Sequence, residues 1–208
     1  MGRPLAEALA VRGARLAVAG RDPTRLVGLG VPSFDHDLAD VASAAGLVAE
    51  AAGALGGLDG VIGCAGVVAF GPLDETPLDV IAEIVAVDLV GPLALARAAI
   101  PALSRGGFVL NVSGSVAELP TAGLVAYSAA KAGVSAGFRA LARESRSRGV
   151  SVIDARPPHT ETGLAQRPLH GAAPRLPAGL DPAAVAARLV HAIEHDERDV
   201  PAAAFRPT

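Results

Sequence analysis

The sequence predicts an α/β fold: a parallel sheet covered on both faces by helices, built as a single domain over residues 1–208. Three observations predict it. Short apolar runs bounded by turn residues alternate along the chain with longer segments of helical periodicity. Just over half of the residues are apolar (51%), yet there is one Tyr, five Phe and no Trp. Ala, Val, Leu and Gly must therefore fill the core, and such small side chains let helices pack closely on a sheet. Finally, the residues able to do chemistry follow directly after apolar runs, at the carboxyl ends of strands, where ligands bind in sheets of this kind.

Taken in order, residues 4–12 read as a helix ended by Gly13, and 15–19 as a short buried strand. A weaker strand covers 33–37. Asp40 is placed to cap a helix running to Leu55, with Gly56 and Gly57 as its stop. Residues 60–64 form the next strand. A long helical pattern over 78–103 contains Pro92, which predicts a kink, and Pro101 near its end. Residues 108–112 read as a strand, 125–148 as a helix closed by Gly149, and 150–155 as a strand. A helix over 181–195 carries Pro182 in its first turn. The run 200–205 predicts an edge strand. Between them, 156–179 is rich in Pro and Gly with little periodicity, and a loop of that length in a compact domain is usually functional.

Charge and composition exclude several classes. The net charge is −3 with no basic tract, which points away from nucleic acid. No run reaches the roughly 20 uninterrupted apolar residues of a membrane helix, since 80–103 is interrupted by Glu83, Asp88 and Arg97. Arg3, Glu7 and Arg12 interrupt the amino-terminal segment, which does not read as a secretory signal. With Cys64 as its single cysteine the chain forms no internal disulfide, and a cytoplasmic protein is expected. The histidines show no metal-ligand spacing with acids or Cys, so no metal is expected. His159 lies in the loop after a strand end and is a candidate for touching ligand.

The segment Tyr127-Ser128-Ala129-Ala130-Lys131 carries the most information. Residues four apart share a helix face, so a helix beginning near Val125 aims the phenol and the ammonium the same way. A free phenol titrates at about 10 and is a poor acid–base group near neutrality. A neighbouring cation lowers that value and makes the phenol able to exchange a proton with a carbonyl or alcohol oxygen. The spacing alone recurs by accident, and the surroundings decide. Asn111-Val112-Ser113-Gly114-Ser115 closes one strand, Gly63-Cys64-Ala65-Gly66 closes another, and Pro157-Pro158-His159-Thr160-Glu161-Thr162 follows a third.

These positions and separations resemble the short-chain dehydrogenase/reductase family over nearly the whole chain. The resemblance implies a Rossmann-type doubly wound sheet and hydride transfer between a nicotinamide cofactor and a small carbonyl or alcohol substrate. It implies that Tyr127 is the proton donor or acceptor, and that Lys131 supports it and bonds the nicotinamide ribose. Asp37 and Leu38 fall where the family holds the adenine. Cys64, Ala65 and Gly66 match an asparagine-alanine-glycine turn with Cys in place of Asn. Pro157, Thr160 and Thr162 lie in the loop that bonds the carboxamide and phosphates, and 156–179 would close over substrate. Gly20-Arg21-Asp22 follows the second expected strand. A glycine followed by Arg21 leaves room for a 2′-phosphate and attracts it, which favours NADP over NAD. A homodimer or homotetramer packed through the two long helices is also implied.

The chain departs from that pattern at three places. The family's catalytic serine position falls on Gly114, flanked by Ser113 and Ser115, either of which would reach the substrate oxygen after a one-residue shift. Asp88 stands where an asparagine is usual, and a carboxylate lacks the amide donor. Gly2-Arg3 matches only the tail of the glycine-rich cofactor loop, so the first, central strand is expected to be missing and the natural protein to begin further upstream. These departures keep two other readings open: a non-catalytic binding or assembly module of the same fold, and an inactive truncated product.

Overall fold

The computed structural model describes residues 1–205. The helices are α1 (Gly2–Val11), α2 (Ala44–Leu55), α3 (Leu78–Val85), α4 (Gly91–Ala102), α5 (Val125–Glu144) and α6 (Pro182–Glu194). The strands are β1 (Val18–Gly20), β2 (Ser33–Asp35), β3 (Leu58–Gly63), β4 (Leu103–Val112), β5 (Ser151–Ala155) and β6 (Asp199–Val200). Every pairing is parallel, as expected when each strand is followed by a helical crossover. The architecture is a Rossmann-type α/β fold.

The strands form two sheets, β1-β2 and β3-β4-β5-β6, and no strand among the described residues joins β1 to β3. In the larger sheet, Val109 pairs with Val152 and Leu110 with Ile153. Successive side chains of a strand point to opposite faces, so these two layers feed two cores. Val109 and Val152 pack with Val48, Ile100, Val134 and Phe138 under α2, α4 and α5. Leu110 and Ile153 pack with Leu5, Val185, Leu189 and Val190 under α1 and α6. Gly133 and Gly137 of α5 bring that helix against its neighbours, because an added Cβ would come within 3.2 Å of Leu89 and 3.1 Å of Leu93.

Several boundaries differ from expectation, each for a local reason. The run 200–205 is an edge strand only at Asp199–Val200, and Ala202–Phe205 winds into a 3₁₀ turn. Pro201 has no N–H to continue the ladder. Ser43, not Asp40, stands at the cap position of α2, without a side-chain capping bond. Asp40 instead accepts hydrogen bonds on its carbonyl from the Ser43 N–H and hydroxyl. At α6 the Asp181 carboxylate does cap, accepting from Ala184 N–H at 3.0 Å. The predicted kink at Pro92 is a five-residue π-helical turn, Ala86–Val90, between α3 and α4. Among the described residues no helix is long and apolar enough to cross a membrane.

Candidate active site

Tyr127 and Lys131 lie one turn apart at the start of α5, beside the carboxyl end of β4. Lys131 is buried (4% exposed), and its Nζ lies 5.7 Å from the centre of the half-buried Tyr127 ring. The ammonium donates to Val112 O at 3.3 Å and meets Asp88 Oδ1 at 3.2 Å. An ammonium has three donors, so one is left to reach a ligand hydroxyl. Gly66 completes this corner. A Cβ there would sit 3.0 Å from Asp88 Oδ1 and 3.4 Å from Lys131 Nζ, so the pair rests directly on its backbone.

Asp88 owes its place to Pro92. In a regular helix the Asp88 carbonyl would accept from the N–H of residue 92, which proline lacks. The chain rewinds through the π turn, with Gly91 N–H donating to Ala86 O. π turns of this kind recur at functional sites. The rewound turn carries the Asp88 carboxyl inward, where it is 0% exposed and accepts from Val67 N–H at 3.3 Å.

Burial dominates the electrostatics here. It pushes the Asp88 carboxyl above its ordinary range, with Lys131 opposing. It would lower Lys131, but Asp88, Tyr127 and Cys64 together hold the ammonium above its usual value. The Tyr127 phenol is raised by burial, opposed by Lys131 and raised further by Asp88. The Cys64 thiol is pushed up to about 11 by burial, so it is a packed neutral group and not a nucleophile.

The two serines flanking Gly114 have different surroundings. Ser113 is 0% exposed; its hydroxyl donates to Asp154 and accepts from Asn111 Nδ2 at 3.1 Å. That hydroxyl is engaged beneath the strand ends. Gly114 takes φ +85°, which reverses the chain, and Ser115 opens a half-buried 3₁₀ turn, Ser115–Ala117. Ser115 N–H donates to Pro157 O at 2.9 Å, tying the turn to the end of β5.

Below this turn lies a charged cluster that sequence reasoning missed. Asp154 accepts from Ser113, from Ser135 Oγ at 2.5 Å and from Arg156 Nη1 at 2.5 Å. Arg156 also pairs with Glu118 and Asp199. The available signal was the run Val152-Ile153-Asp154-Ala155-Arg156, with one charge inside and one just past a strand otherwise fit for burial.

The cofactor candidates spread along the same strand ends. Gly2 opens α1 beside Cys64, with 3.7 Å between an added Cβ and Cys64 Cβ. Ala65 is exposed next to it. Arg21, beyond β1, lies 3.1 Å from Glu83 Oε1 and 3.7 Å from Asp37 Oδ2. Leu38 packs on Gly91, where any Cβ would come within 2.6 Å of it. Thr160 Oγ1 donates to Pro158 O at 2.9 Å, Thr160 bridges to Leu180, and Thr162 N–H donates to Thr160 O. His159 faces Glu161 at 3.4 Å. The 156–179 loop is pinned by backbone bonds from Leu169 N–H to Val68 O and from Phe70 N–H to His170 O. A cavity of about 380 Å³ at the amino ends of β4 and β5, lined by Phe108, Ser151 and Arg198, is at the other end of the sheet from Tyr127 and takes no part.

The model of the short chain dehydrogenase family matches residues 1–171. The chain belongs to that family. A short chain dehydrogenase of Pseudocercospora fijiensis is 29% identical over 79% of this chain, which spans 57% of that relative's length. A short chain dehydrogenase of Burkholderia cenocepacia, solved with NADP, superposes with a TM-score of 0.83 at 26% identity, over 99% of this chain and 93% of that one. A 3-oxoacyl-[acyl-carrier protein] reductase of Brucella melitensis, solved with NAD, shares the fold at 21% identity with a TM-score of 0.80, over 100% of this chain and 93% of that one. A family of nicotinamide enzymes suits the residues present. Lys131 keeps one donor unused and Gly66 presents bare backbone beside it, which fits a ribose hydroxyl.

Proposed function

We propose that this chain is an NADP-preferring oxidoreductase that interconverts a small carbonyl compound and its alcohol. The observation that carries the reading is that Lys131 turns inward to the end of β4, on the same face of α5 as Tyr127. A lysine with only a surface role would extend into water. Bound nicotinamide supplies or accepts the hydride.

The chain's own residues manage the proton and the geometry. Tyr127 exchanges a proton with the substrate oxygen. Lys131 bonds the ribose with its remaining donor and supports the phenol electrostatically. Ser115 bonds the substrate oxygen; what supports this choice is that the Ser113 hydroxyl is already held by Asp154. Asp37, Leu38, Ala65, Gly66, Pro157, Thr160 and Thr162 line the cofactor's path, with Gly2 and Cys64 at its phosphate end. Arg21 attracts a 2′-phosphate, in competition with Glu83 and Asp37. Neighbours of this fold were solved with NADP and with NAD, so the preference rests on Arg21 alone. The pinned 156–179 loop covers substrate. A cytoplasmic homodimer or homotetramer packed through the two long helical segments, α3–α4 and α5, completes the reading.

Gly114, which offers no hydroxyl where the family places its serine, favours one other reading, a non-catalytic binding module. The deciding experiment is oxidation of NADPH and NADH against a panel of carbonyl compounds, with Tyr127→Phe alongside. Turnover faster with NADPH and lost in Tyr127→Phe supports the enzyme. Cofactor binding without turnover of any compound supports the module.

A further inference from the structure

Asp88 is a fully buried carboxyl with only half of its acceptor capacity in use. Oδ1 is shared between Lys131 Nζ and Val67 N–H, and Oδ2 has no hydrogen-bond partner among the described residues. A neutral amide at this position would leave the Lys131 ammonium as an uncompensated charge beside Tyr127 and draw the phenol toward phenolate. The carboxylate makes a pair of zero net charge instead, 3.2 Å apart and out of water on both sides.

We infer that Asp88 sets the direction in which the site works best: its carboxylate offsets the Lys131 ammonium, so Tyr127 stays a phenol and the site is poised to give a proton to a carbonyl oxygen. This rests on the oxidoreductase reading above and extends it to a kinetic preference for reduction near neutral pH. In that step the Tyr127 O–H bond breaks and its proton forms the O–H bond of the alcohol. The hydride, with its electron pair, reaches the carbonyl carbon from reduced nicotinamide, and water reprotonates the phenolate left behind.

The charged and titratable groups around Tyr127 agree with the inference. The π turn contributes Asp88 and α5 contributes Lys131. The end of β3 contributes Cys64, which burial keeps as a neutral thiol. The amino group of Met1 lies near Cys64, and Arg167 acts on that amino group. Glu83 of α3 is turned to Arg21, and Glu118 is held by Arg156. Lys131 is the cation that acts on the phenol, and Asp88 is its direct partner.

The test needs neither cofactor nor substrate. Tyr127 is the only tyrosine and there is no tryptophan, so tyrosinate absorbance in the near ultraviolet reads this one phenol. Titrated with pH, with circular dichroism tracking the fold, the native chain should develop no phenolate signal below pH about 10. Asp88→Asn should bring the midpoint down by about one pH unit. A native midpoint below about 9, or an Asp88→Asn midpoint equal to the native one, overturns the inference. If Asp88→Asn fails to fold, the native titration decides alone. A chain that titrates as expected but reduces no carbonyl compound would sink the oxidoreductase reading and leave the effect of Asp88 on the phenol standing.

Discussion

Replacing Arg156 with methionine should destabilise the protein by about 3 kcal/mol, the lower end of what breaking a buried ion pair costs. Arg156 has three carboxylate partners, and their exposure decides which of them count. Asp199 is 63% exposed and Glu118 36%, so those pairs are screened by water and contribute little. Asp154 is 2% exposed, and its charge would be stranded. Two hydroxyls, of Ser113 and Ser135, still serve it, which keeps the loss from the top of the range. With a urea slope of about 2 kcal/mol per M, the unfolding midpoint should fall by about 1.5 M. The double variant Arg156→Met with Asp154→Asn removes the stranded charge and should recover most of the loss. A single-variant midpoint within about 0.3 M of the native one would refute the view that this cluster holds β4, β5 and the Ser115 turn together.

Two further outcomes follow from the site. Ser115→Ala should lower kcat by about 10²-fold with the fold intact, as when a donor to a reacting oxygen is lost. Ser113→Ala should instead act chiefly on the urea midpoint, because its hydroxyl serves Asp154; equal kinetic effects of the two would contradict the placement. Gly171→Ala should loosen the 156–179 loop, since its φ of +68° disfavours a side chain and the added Cβ would fall 1.8 Å from Phe70 O. Hydrogen exchange should then quicken across 160–180, and an unchanged pattern would show that the backbone bond at Phe70 does not pin the loop.

The parallel α/β layering was legible because it depends on periodicity. Val109 and Val152 against Leu110 and Ile153 show the two-faced burial that apolar runs flanked by helical segments imply. The Tyr127–Lys131 geometry was legible for the same reason, as a four-residue spacing on a helix. What could not be read depends on contacts distant in sequence. Asp88 and Lys131 are 43 positions apart, and only the rewinding before Pro92 brings the carboxyl inward. The difference between Ser113 and Ser115 comes from Asp154, 41 positions beyond Ser113. The split into two sheets, by contrast, is what the expected absence of a central strand implies.

The most direct test of the Tyr127–Lys131 pair is a comparison of native protein and Tyr127→Phe for NADPH binding and for NADPH-dependent carbonyl reduction. Removing only the phenolic oxygen should leave cofactor affinity within about twofold, because Lys131 still offers its donor, and should lower turnover by about 10²–10⁴-fold. Native turnover that survives the substitution within a few-fold would contradict the assignment of Tyr127 as the proton carrier.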